Sequence, residues 1–173
     1  MLSPLVVAVS LCAALVAVIT DLRHGKIRNW LTLPLLAVGP TIWLAQRGLA
    51  GALISIEGAL LVAAILVGLV AVVGPGLGGG DLKLLVGLGA VLGWPTAGWM
   101  LLYTGLSGVI AIPVLLKRRV LLRTLGNLAA NLALRHYGGS VVRLDANTSA
   151  PPIPYGACIF LGTIAALLLG PIV

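Results

Sequence analysis

Apolar residues fall along this chain in long unbroken runs, separated by short stretches that carry nearly all of its charge. The first run reaches from about Leu2 to Thr20 and ends in a basic loop, DLRHGKIRN, Asp21 to Asn29. The second, Trp30 to about Ala45, is shorter and holds Pro34 and Pro40, so a kink or an irregular end is expected there. A loop with Arg47 and Glu57 follows, then a third run from roughly Gly58 to Val73, whose first turn could begin nearer Leu53. The glycine-rich stretch GPGLGGGDLKL, Gly74 to Leu84, leads into a fourth run, Leu82 to about Leu92. That run is too short to cross a hydrocarbon core of about 30 Å unless its flanks contribute or the bilayer thins. The fifth run, about Thr96 to Leu116, is a full span, and the sixth is Gly156 to about Leu169. The pattern predicts an all-α polytopic membrane bundle of about six transmembrane helices, built as one domain over residues 1–173.

Between the fifth and sixth runs the periodicity changes. Leu121, Leu125, Leu128 and Leu132 recur at helical spacing, while Arg123, Asn127, Asn131 and Arg135 recur every four residues on another face. An amphipathic helix lying in the membrane interface is expected, with a soluble-type helix packed on the bundle as the alternative. From His136 to Pro154 the chain turns polar and proline-rich, as a surface loop does.

Composition agrees. Mean hydropathy is +1.17 and 9% of residues are charged, against about 25% in a soluble domain. The net charge of +7 would suggest nucleic-acid binding in a soluble protein. Here its placement reads as a topology signal beside anionic lipid, with no nucleic-acid partner expected. If the first run enters from outside, the cytoplasmic loops hold Arg23, Lys26, Arg28, Lys83, Lys117, Arg118, Arg119, Arg123, Arg135 and Arg143, leaving only Arg47 elsewhere. The N-terminus is therefore expected outside. It lacks the positive stretch of a signal peptide, so the first run reads as a retained helix. Cys12 and Cys158 lie in apolar runs without a CxxC and read as small buried hydrophobes. His24 and His136 have no ligand-spaced companions, so neither a metal nor a cofactor is expected.

Only four acidic residues occur, and two of them meet the ends of apolar runs: Asp21 after the first and Asp81 before the fourth. The charge-derived topology places both at the cytoplasmic face, where packing of the two helices could bring them together. An ionisable group beside membrane-grade sequence is a functional-site hypothesis by default. Two close carboxylates force one pKa up and keep the other low, supplying a base for water and an acid for a peptide carbonyl near neutral pH. Gly76, Gly78, Gly79 and Gly80 could adopt positive φ and let an extended substrate strand pass without meeting side chains. Blander readings stand beside these. Asp81 before LKLL suits a helix N-cap, and Asp21 could pair with Arg23 or Lys26 in a wet loop. Lys83, two residues beyond Asp81, points to topology and headgroup contact. Glu57 falls on the other side of the membrane. GGGDLKL lacks the GKS/T ending of a phosphate-binding loop.

Three motifs in order along the chain resemble the type IV prepilin peptidases and preflagellin peptidases. GGGD at Gly78 to Asp81, followed by Leu82 and Lys83, is similar to their GxGD signature. DLRHGKIRNWLT, Asp21 to Thr32, resembles their other aspartate region, with Ile27 and Asn29 in place and Arg28 where the family usually has proline. IPYG, Ile153 to Gly156, resembles the Pro-Tyr-Gly that opens their last helix, through Pro154, Tyr155 and Gly156. The resemblance implies an aspartyl endopeptidase with Asp21 and Asp81 catalytic and Gly78 to Gly80 beside the substrate. Its partner would be a prepilin or pseudopilin precursor with a positively charged leader, cut at the cytoplasmic face of a bacterial inner membrane. Larger members carry zinc-binding cysteine pairs and methylate the new N-terminus; the stretch from Asp21 to Asn29 has no such insertion. The compact form is similar to the stand-alone peptidases of Flp, or tight-adherence, pilus systems. Two other classes stay open: an ion- or proton-coupled transporter using the carboxylates as a relay, and a non-catalytic pilus-assembly component.

Overall fold

A computed structural model describes residues 2–24, 27, 29–73, 78–117 and 155–170. The amphipathic stretch Leu121 to Arg135, the loop to Pro154, and Lys26, Arg28 and Gly76 lie outside the described residues. Five helices and no strands are present among them: α1 (Pro4–His24), α2 (Asn29–Val73), α3 (Gly79–Leu92), α4 (Thr96–Lys117) and α5 (Tyr155–Leu169). Helix α1 starts as its sequence dictates. Ser3 Oγ accepts the Val6 N–H at 3.3 Å, and Pro4 occupies the first helical position, where a missing N–H costs nothing. The helix runs on through His24, so Asp21 lies within its last turns and not in a loop.

Helix α2 is interrupted at Gly48, whose φ of 63° and ψ of −152° suit a residue without Cβ. It therefore consists of two arms, residues 29–47 and 49–73. The break falls at this glycine, and Pro34 and Pro40, where a kink or an irregular end is expected, sit inside the first arm. Arg47 and Glu57, expected in a loop, are helical for the same reason: the chain turns at a single residue and needs no polar connection. The arms lie on α3 in opposite senses. Going up the first arm, Ile27 meets Gly80, Thr32 and Leu35 meet Gly87, and Gly39 meets Ala90. The second arm begins beside the far end of α3, with Gly58 against Gly93 and Gly89.

Helix α3 is the centre of the fold. Leu84, Leu85, Leu88, Val91 and Leu92 are buried, whereas the surrounding helices expose Leu15, Leu44, Leu60, Val67, Leu102, Ile110 and Leu168 outward. An apolar core surrounded by an apolar exterior is the arrangement expected of a bundle in lipid. Two described helices, α1 and α2, are long and apolar enough to cross a membrane. The fourteen residues of α3 extend only about 21 Å at 1.5 Å per residue, and its far end is finished by neighbours. The carbonyls of its last turn lack intrahelical donors. Ser55 Oγ donates to the Ala90 carbonyl at 2.6 Å, Trp43 Nε1 donates to Val91 at 2.9 Å, and the Gly93 N–H donates to Gly89 at 2.9 Å. The Gly89, Ala90 and Val91 carbonyls of this short central helix are thereby satisfied. Helices α4 and α5 run antiparallel: Thr104 packs on Gly162, and Ser107 Oγ donates to the Cys158 carbonyl at 3.0 Å. Cys158 is buried as expected, but Cys12 is exposed on the outer surface of α1.

Candidate active site

The directions of the helices decide which residues meet. The end of α1, the start of α2 with Ile27, the start of α3 and the start of α5 converge at one end of the bundle. The opposite end holds Gly48, Glu57 and Gly93. Asp21 and Asp81 are thus brought to the same end, from helices of opposite sense.

Each carboxylate is held by backbone. The Gly156 N–H donates to Asp21 Oδ2 at 3.0 Å, linking residues 135 positions apart. Asp81 is the third residue of α3, and the N-cap is Gly78, which has extended backbone and no capping side chain. The N-cap reading of Asp81 is therefore replaced by a related one. Its carboxylate folds back over the Gly78 backbone, in the manner of the third helical residue of a capping box. Asp81 is half-buried and precedes the apolar residues Leu82 to Leu92. Burial pushes its pKa from the ordinary carboxylate range to about 6, the nearby Asp21 charge adds to the rise, and the Gly78 backbone offsets part of it.

Glycines 79 and 80 are helical and Gly78 is extended; none of the three has positive φ, so the expected loop of left-handed glycines is corrected here. The three differ in surroundings. Gly78 and Gly79 are exposed, and nothing lies within 4 Å of a Cβ built at Gly79. A Cβ at Gly80 would stand 2.7 Å from the Ile27 carbonyl oxygen and 3.1 Å from Ile27 Cβ. Gly80 is the point where α3 comes against the chain linking α1 to α2, one residue from Asp81.

The remaining motif residues gather round the pair. Ile27 is buried against Gly80. Lys83 is exposed, and its Nζ donates to Asn29 Oδ1 at 3.1 Å, so it ties the two aspartate regions together besides any part in topology. Tyr155 opens α5, is half-buried, and lies close enough to Asp81 to feel its charge. Pro154 and His136 lie outside the described residues. Among the described residues no group of three or more His, Cys, Asp or Glu could hold a metal ion.

The role of Gly156 could not be read from the sequence beyond its place in IPYG. A backbone donor carries no side-chain signature, and its partner is in the first helix. Two carboxylates on helix ends, each held by backbone and one with its proton affinity raised, could divide acid and base roles between them. The chain belongs to the type IV leader peptidase family, whose model matches residues 8–113. That match takes in Asp21 and Asp81 and ends before Tyr155 and Gly156. No curated protein and no solved structure matches the chain.

Proposed function

We propose that this protein is an aspartyl endopeptidase that removes the leader from Flp-type prepilins and pseudopilins, with Asp21 and Asp81 as its catalytic pair. The observation that carries the reading is the convergence of both carboxylates at one end of the bundle, within the residues matched by a leader-peptidase family. The ionised carboxylate takes a proton from water, and the resulting hydroxide adds to the scissile carbonyl carbon. The protonated carboxyl donates to the carbonyl oxygen, giving a neutral tetrahedral diol. Collapse of the diol breaks the C–N bond and delivers a proton to the leaving amine, so water is consumed and both carboxyl groups return to their starting states.

Six crossings, the N-terminus outside and the site at the cytoplasmic face of an inner membrane make up the topology of this reading. The distribution of Lys and Arg supports it. A basic leader would approach from that side. The test is coexpression with a pilin-like precursor, scoring leader removal for the parent, Asp21→Asn and Asp81→Asn at matched abundance. Loss of cleavage in both variants is the expected result. Robust cleavage by either one would refute the pair, and cleavage by neither variant nor the parent would favour a transport or scaffold role.

A further inference from the structure

The last helix fixes the Asp21 carboxylate. Helix α5 begins at Tyr155, so the Gly156 N–H belongs to the first turn and has no acceptor within its own helix. It spends that donor on Asp21 Oδ2. Asp21 is therefore a long-range cap of α5, at the end of a helix where negative charge is favoured. The residue must also be small. A Cβ at position 156 would lie 3.0 Å from Asp21 Oδ2, 3.2 Å from Asp21 Cβ and 3.5 Å from the Ala17 carbonyl oxygen. A side chain there would press on Asp21, which must give way by a few tenths of an ångström.

We infer that Gly156 is a positioning residue that holds the Asp21 carboxylate in place for the shared acid–base step. The assignment rests on the peptidase reading above and adds to it the residue that fixes one of the two carboxylates. Asp81 on α3 lies near enough to Asp21 for their charges to interact, and Arg23 on α1 is exposed. Asp81, half-buried, is the carboxyl for which burial and the neighbouring Asp21 charge both favour the protonated form.

The test compares Gly156→Ala with Gly105→Ala, a glycine of α4 with nothing within 4 Å of its built Cβ. Processing of a purified precursor by purified enzyme in detergent is followed to obtain kcat and KM. Gly156→Ala is expected to lower kcat by at least about tenfold with KM within about twofold, because the displaced carboxylate acts in the transition state and not on bound precursor. Gly105→Ala is expected to match the parent. A second measurement needs no change at position 156. Hydrogen exchange of the Gly156 amide should be slow in the parent and faster in Asp21→Ala, with α5 amides beyond the first turn unchanged. Parent-like kcat in Gly156→Ala, a change in KM alone, or equal amide exchange in parent and Asp21→Ala would overturn the inference. If Asp21→Asn or Asp81→Asn still cleaves, the peptidase reading itself fails; if both are inactive while Gly156→Ala is normal, only the role of Gly156 fails.

Discussion

Replacing Gly80 by alanine adds one methyl group at the point where α3 meets the chain leaving α1. The added Cβ would stand 2.7 Å from the Ile27 carbonyl oxygen, and ordinary contact begins near 3.4 Å. The two backbones must therefore separate by about 0.7 Å, a shift of the order that costs roughly 10- to 100-fold when it misplaces a reacting group. Asp81 is the next residue and moves with the backbone of the first turn of α3. Overpacking of this kind also costs about 1–3 kcal/mol of stability, offset in part by the better helix propensity of alanine. The comparison is Gly79→Ala, which has the same chemistry one residue earlier and meets nothing within 4 Å. Initial rates of precursor processing, with each variant quantified in the membrane, should fall roughly 10- to 100-fold for Gly80→Ala and stay within about twofold of the parent for Gly79→Ala. Equal rates for the two variants would refute the idea that close approach at Gly80 registers Asp81 against Asp21.

Three further outcomes are expected. If Asp81 is the acid, the raised value near 6 makes cleavage fall as pH rises through about 6, because the proton it must donate is lost; a rate flat between about pH 5 and 8 would contradict this. Trp43→Phe removes the donor to the Val91 carbonyl at the buried end of α3 and should lower stability in detergent by about 1–3 kcal/mol, measured by thermal unfolding. Thr104→Val should be neutral or stabilising by about 1 kcal/mol in the same assay, since Thr104 Oγ1 is buried without a hydrogen-bond partner among the described residues.

The apolar runs made most of the helices legible, because continuous hydrophobicity is a strong signal and the glycine-rich stretch marks a break. The starts of α4 and α5 and the ends of α3, α4 and α5 fall within a residue or two of the expected positions. Helix α2 was less legible. A reversal at Gly48 needs only one residue with positive φ, and no polar loop announces it. Pro34 and Pro40, where a kink or an irregular end is expected, lie within the first arm, and the break comes at Gly48. At the site, the residue types of Asp21 and Asp81 are visible in sequence, and the alternation of runs puts them on one side. Their supports are not visible. The amide of Gly156, the Lys83–Asn29 bond and the contact of Gly80 with Ile27 join residues far apart along the chain. Hydrophobic periodicity carries no information about such pairs.

The central claim is that Asp21 and Asp81 act together in a single chemical step. Its most direct measurement is the rate of leader removal from a purified precursor by the parent, Asp21→Asn, Asp81→Asn and the double variant, each confirmed folded by thermal unfolding. Each single variant is expected to lose roughly 10²- to 10⁴-fold, and the double variant about as much as either, since loss of base or acid disables the same step. Near-parent rates in either single variant, or losses that multiply in the double variant, would contradict it.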